Sequence, residues 1–114
     1  MDISFNDKDN VLCIALNGRL DATNASGTEK QISDYLNNLE KNIDIAIDLT
    51  GLDYISSAGL RVLLVITKNQ KKNNSNLCLF GLSENVMEIF QISGFDTIFN
   101  IAKNESEAIA VLKD

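Results

Sequence analysis

The sequence predicts an α/β domain: a mostly parallel, mixed sheet of about five strands with about four helices, opened by an antiparallel strand pair. Three observations carry that prediction. Short apolar runs alternate along the chain with segments whose apolar residues recur at helical spacing. The run "VLCIALNG" is apolar on both alternating faces, as a strand covered on two sides must be. The first two runs are joined by the polar turn "NDKDN", which makes them the antiparallel pair.

Taken in order, residues 2–6 and 11–17 read as the first two strands. After Gly18, Ala25, Thr28, Ile32, Tyr35, Leu36 and Leu39 form one face of a helix, with Thr23 or Asp21 at its cap. Residues 43–49, "IDIAIDL", are a short buried strand. A helix from Ser57 to Lys72 follows, then a strand from Asn76 to Phe80. Ser83 caps a third helix that Gly94 ends. "DTIFNI" is the last short strand, and "NESEAIAVL" opens a final helix with Asn104 at the cap and Glu107 at capping-box spacing.

The length of 114 residues and a hydrophobic fraction of 45% suit one domain over residues 1–114 with one core. With 16 acidic residues against 10 basic ones, the net charge of −6 repels phosphate backbones and anionic lipid. Nucleic acid is therefore not an expected partner, and Lys71 and Lys72 read as complements to a helix C-terminus. The longest nearly apolar run, Val62 to Ile66, is far short of the roughly 20 residues that span a bilayer. "MDISFNDKDN" has no apolar stretch of the kind a signal peptide needs. A cytoplasmic protein without membrane insertion is the expectation. Cys13 and Cys78 fall in strands and read as buried free thiols, and with no histidine in the chain a zinc site is not expected. Neither metal nor cofactor is called for.

The stretch "LDYISSAGLRVLL", residues 52–64, places two serines at a strand-to-helix junction. A hydrolase nucleophile is rejected, because Ile55 stands where G-x-S-x-G needs its first glycine and histidine, the usual base, is absent. The spacing of a phosphate-binding loop is missing too. A phospho-aspartate receiver would need acidic company for Asp48, and the early strand ends "ALNG". Asp53 reads as a turn residue, so no acid–base pair remains and an enzyme is not expected. Two readings stay open: Ser56 or Ser57 is an N-cap, or a hydroxyl here accepts a phosphoryl group. In the helix that follows, only Arg61 is polar between Ala58 and Ile66. Leu60, Leu63, Leu64 and Thr67 make the core stripe, which leaves Val62, Val65 and Ile66 for neighbouring helices or a partner.

The whole chain resembles a stand-alone STAS domain of the bacterial anti-sigma factor antagonist family. "LNGRLDATNA" is similar to the family's G-x-[LI]-D segment through Gly18, Leu20 and Asp21; "IDLTGLDYISSAGLRVLL" to its central strand, loop and helix; and "IFQISGFDTIFNI" to its late I-x-G-[FL]-x-x-x-[IF] stretch. The resemblance implies a STAS-type fold and a phosphorylated serine at Ser57, two positions before Gly59. It also implies a partner surface of Asp21, Thr23, Ser56, Ser57, Ala58, Gly59, Leu60 and Arg61. The partner would be an anti-sigma factor that is itself a serine kinase. The unphosphorylated form would bind it and free a sigma factor, phosphorylation at Ser57 would block binding, and a PP2C-type phosphatase would reverse it. Ser56 stands where phosphorylated members often carry aspartate. Ala58 and Leu60 are expected to form an apolar docking surface beside the modified hydroxyl. Two other functions fit the same resemblance: a non-phosphorylated assembly subunit of a lipid-transport ATPase, and a module sensing a nucleotide or anion near Asp21 and Ser57.

Overall fold

A computed structural model of the chain describes residues 1–113. Its elements are β1 (Asp2–Lys8), β2 (Val11–Leu20), α1 (Ala25–Asn37), β3 (Asp44–Asp48), β4 (Leu52–Ile55), α2 (Ser57–Lys72), β5 (Leu77–Phe80), α3 (Glu84–Ser93), a 3-10 turn (Phe95–Thr97), β6 (Asn100–Ala102) and α4 (Glu105–Lys113). The strands lie in the order β1-β2-β3-β5-β6, with β4 pairing with the far end of β2. β1 and β2 are antiparallel and every other pairing is parallel. The hairpin strands run longer than predicted. Only Asp9 and Asn10 are needed to turn, because both adopt positive φ (55° and 64°), the hand that matches the twist of the flanking strands.

The pleat sorts the core into two faces. Leu12, Ile14 and Leu16 of β2, Ile45 and Ile47 of β3, and Leu77 and Leu79 of β5 meet Ile32 of α1, Leu63 and Ile66 of α2, and Val86 and Phe90 of α3. On the opposite face Val11, Cys13, Ala46, Cys78 and Phe80 are covered by Ala108 and Leu112 of α4. Cys13, Ala46 and Cys78 stand side by side in register, so about two strand spacings, roughly 9–10 Å, separate the thiols. Both are buried and free, and burial pushes each thiol above its ordinary range.

The caps follow the sequence where a short polar side chain meets a free N–H. Ser83 Oγ accepts from Val86 N at 3.3 Å, Asn104 Oδ1 accepts from Glu107 N at 3.0 Å, and Gly94 ends α3 at φ 79°. Three readings are revised. "LDYI", which the sequence reading assigns to no element, is the short strand β4. The stretch "DTIFNI" is divided, with the 3-10 turn taking Phe95–Thr97 and the strand beginning only at Asn100. Neither Thr23 nor Asp21 caps α1: its N-cap residue is Asn24, whose side chain makes no capping bond to the helix. Asn24 instead holds the chain before the helix, accepting from Asp21 N at 2.9 Å and donating to Arg19 O at 2.7 Å. On α2, Val62 and Ile66 are buried rather than offered outward, and Gln70, six per cent exposed, joins the core edge. Its Nε2 donates to Ile43 O at 2.8 Å and Asn76 O at 3.1 Å, tying together the approaches to β3 and β5.

Gly59 fixes the seat of α2. A Cβ there would lie 2.8 Å from Leu20 Cγ, Leu20 O and Ile55 Cγ1, two of them in the buried core and one a backbone oxygen. We expect Gly59→Ala to destabilise the fold by about 1–3 kcal/mol in urea melts, because overpacking outweighs alanine's higher helix propensity. Gly27→Ala, with open space around the added carbon, should instead stabilise by about 0.5–1 kcal/mol. Equal effects of the two substitutions would refute this account of Gly59.

Candidate functional site

The candidate site is assembled where β2 ends, β4 runs beside it and α2 begins. Gly18, at φ 110°, turns the end of β2, and a register shift after it leaves Asp53 of β4 without a paired residue while Arg19 faces Tyr54. Ser56 N donates to Leu20 O at 2.9 Å, which anchors the first turn of α2 against the residue preceding Asp21. The sequence motifs around Asp21 and Ser57, far apart along the chain, therefore meet at one end of the sheet.

The two serines have separate tasks. Ser56 is the N-cap: its Oγ accepts from Gly59 N at 3.3 Å and its carbonyl accepts from Leu60 N at 2.9 Å. Ser57 is the first helical residue and is exposed. The capping bond that holds the helix does not involve its hydroxyl. No acidic residue lies in the first turn of α2, so no carboxylate of the helix itself offsets its positive end.

Of the other predicted site residues, Thr23 and Arg61 are exposed, and Asp21, Ser56 and Ala58 are partly exposed. Gly59 and Leu60 are corrected. Leu60 is three per cent exposed and belongs to the core, and Gly59 is sealed against Leu20 and Ile55. They shape the surface from beneath and present no side chain to it, so the expected apolar docking pair reduces to Ala58. The sequence reading missed Arg19 and Tyr54. The Arg19 guanidinium sits 4.5 Å from the centre of the Tyr54 ring, and its Nε lies 3.8 Å from Asp21 Oδ2. Only the bulged pairing of β2 with β4 brings them together; the signal in the sequence was residue type alone, since arginine and tyrosine are enriched at binding hot spots.

Asp21 is held in one orientation. Its Oδ1 accepts from Thr23 Oγ1 at 2.6 Å and from Thr23 N at 3.0 Å. The Thr23 hydroxyl first, then its N–H, with the Arg19 charge adding, hold this carboxyl below the usual carboxylate range. A carboxylate whose proton affinity is lowered by folding adds stability above its unfolded pKa and loses it as pH falls through the folded one. Carbon NMR titration of Asp21 should show an upward move of its midpoint in Thr23→Val, with a smaller loss of stability on acidification than wild type. An unmoved midpoint would mean that the hydroxyl does not set the charge state.

Among the described residues no three His, Cys, Asp or Glu side chains group to hold a metal ion, and no helix is long and apolar enough to cross a membrane. The chain matches the STAS domain family over residues 2–108. A protein of Bordetella bronchiseptica named as a candidate anti-sigma factor antagonist, BtrV, is 35% identical over 113 residues, 99% of this chain and 96% of its own. An anti-sigma-B factor antagonist of Listeria monocytogenes is 32% identical over 107 residues, 94% of this chain and 91% of that one. In fold, the chain is similar to a Thermotoga maritima crystal structure described as a candidate anti-sigma factor antagonist, with a TM-score of 0.90, 24% identity, and coverage of 98% of this chain and 95% of that one. STAS domains are non-catalytic regulatory modules, in keeping with a site that offers a capped helix, a fixed carboxylate and an open hydroxyl. The chain belongs to the STAS domain family and, within it, to the anti-sigma factor antagonists.

Proposed function

We propose that this chain is a phosphorylation-controlled anti-sigma factor antagonist with Ser57 as the acceptor. In its unmodified form it binds an anti-sigma factor that is also a serine kinase, so that a sigma factor is freed. The γ-phosphoryl group of ATP passes to Ser57 Oγ, whose proton is released as ADP departs, and the modified form no longer binds. A PP2C-type phosphatase hydrolyses the phosphoserine and restores the antagonist.

One observation carries the reading: Ser56 caps the helix and so leaves Ser57 exposed at the first helical position. A phosphoryl group on Ser57 can therefore be added without removing the bond that starts α2. The added charge of about −1.5 to −2 lies at a helix end that favours anions, so the fold tolerates it. A partner that must cover it does not. Burying a phosphoserine dianion costs several kcal/mol even where a cation pairs with it, because each ion gives up its water, and a loss of about 4 kcal/mol weakens binding roughly a thousandfold. Asp21, fixed by Thr23, and the Arg19–Tyr54 pair border the same surface and give the partner charged and aromatic points of contact. An exposed hydroxyl bordered by oriented charges fits recognition by a protein kinase surface.

Incubation with candidate anti-sigma kinases and ATP, followed by peptide mapping, should place one phosphoryl group on Ser57 and none on Ser56. Kinase affinity should be retained by Ser57→Ala and reduced at least tenfold by Ser57→Asp or by the phosphoserine itself. A phosphoserine form that binds as tightly as the unmodified chain would end the proposal. Stability separates the serines independently: in denaturant melts Ser56→Ala should cost about 1 kcal/mol and Ser57→Ala less than about 0.5 kcal/mol.

A further inference from the structure

We propose that Arg61 is an internal clamp for the phosphoryl group on Ser57, an inference that rests on phosphorylation of that serine. Both arginines of the sequence, Arg19 and Arg61, lie at this end of the molecule, and every other basic residue is a lysine. They are not equivalent. Arg19 is engaged, stacked on Tyr54 and close to Asp21. Arg61 is exposed, and the ion pairs of the described residues are Lys8–Glu105, Arg19–Asp21 and Lys30–Asp34, none of which uses it. In an acidic chain, an arginine left unpaired beside an exposed serine is a cation available to a new anion.

The helix supplies the geometry. Arg61 follows Ser57 by four residues on α2, so the two side chains share a face about 5–6 Å apart at their Cβ atoms. Helical Cα–Cβ bonds tilt toward the N-terminus, so a long side chain at position 61 leans back over the turn that carries Ser57. The guanidinium fork matches two phosphate oxygens, which an ammonium group does not. No carboxylate in the first turn competes for it, and Ser56 Oγ already occupies Gly59 N. The clamp lets the helix start hold the dianion and keeps the phosphoryl group folded onto the surface that the partner must cover.

The test installs phosphoserine at position 57 directly, by genetic encoding, so it proceeds whether or not a kinase chooses that residue. The second ionisation of the phosphate is followed by phosphorus NMR in wild type, Arg61→Gln, Arg61→Lys and Arg19→Gln. The other charged side chains near this end are Arg19 on β2 and Asp21 just after it, Asp53 on β4, Glu29, Lys30 and Asp34 on α1, which packs against α2, and Glu84 and Glu88 on α3, which packs against β4. All are common to wild type and Arg61→Gln, so the difference between those two proteins reads Arg61. In wild type the ionisation should fall below the ordinary value of about 6. Arg61→Gln should raise it by about half a unit, Arg61→Lys should restore part of the shift, and Arg19→Gln should move it less than Arg61→Gln does. Identical titrations for wild type and Arg61→Gln would overturn the clamp, as would a larger effect at Arg19. A kinase that ignores Ser57 would instead refute the parent reading and leave the titration standing.

Discussion

The site depends on one close approach, that of the first turn of α2 to the end of β2. Gly59 lets the helix backbone lie against Leu20 and Ile55 where any side chain would collide, and Ser56 N bonds to Leu20 O across the same gap. A helix seated this closely has its cap and its first exposed residue fixed relative to the neighbouring strand. Asp21, the next residue along from Leu20, is thereby placed beside the helix start. Had the helix been displaced outward by a methyl group, Ser57 and Asp21 would not share a rigid surface.

That rigidity suits a protein whose signal is a change of charge. Leu60 and Leu63, behind the first turn, are fully committed to the core, so the helix has little freedom to move when its exposed end is modified. Interiors this closely packed transmit strain instead of absorbing it. The economical route is to alter the surface and leave the interior alone, and dividing capping and modification between two adjacent serines allows it. A single serine serving both purposes would change its capping bond whenever it was modified.

The opposite face of the sheet follows a different logic. Cys13, Ala46 and Cys78 are small residues in one row under α4, and their size lets Ala108 come close. This face supplies burial, and the chemistry lies at the end of the sheet where β2 passes from pairing with β3 to pairing with β4. The bulge after Gly18 makes that passage possible, since an extra residue increases the local twist. It also turns Arg19 and Tyr54 toward each other on the surface.

Much of the fold was legible in the sequence because its signals are local. The alternation in "VLCIALNG", the helical period after Gly18, and the caps at Ser83, Gly94 and Asn104 each depend on neighbours within a few residues. The same locality identified "ISSAGL" as a strand-to-helix junction and left two serines as candidates. Which serine caps and which faces solvent depended on where the helix begins relative to Leu20, a contact spanning more than thirty positions of the sequence. Helical spacing already put Leu60 in the core stripe, and only the expected docking surface drew it outward; the close seat of α2 buries it. Short β4 was invisible because "LDYI" gains strand geometry only from its partner β2, and Arg19 and Tyr54 became a pair only through that register. Local periodicity determined the elements; long-range pairing, whose free energy exists only once distant backbone groups meet, decided which side chains form the surface.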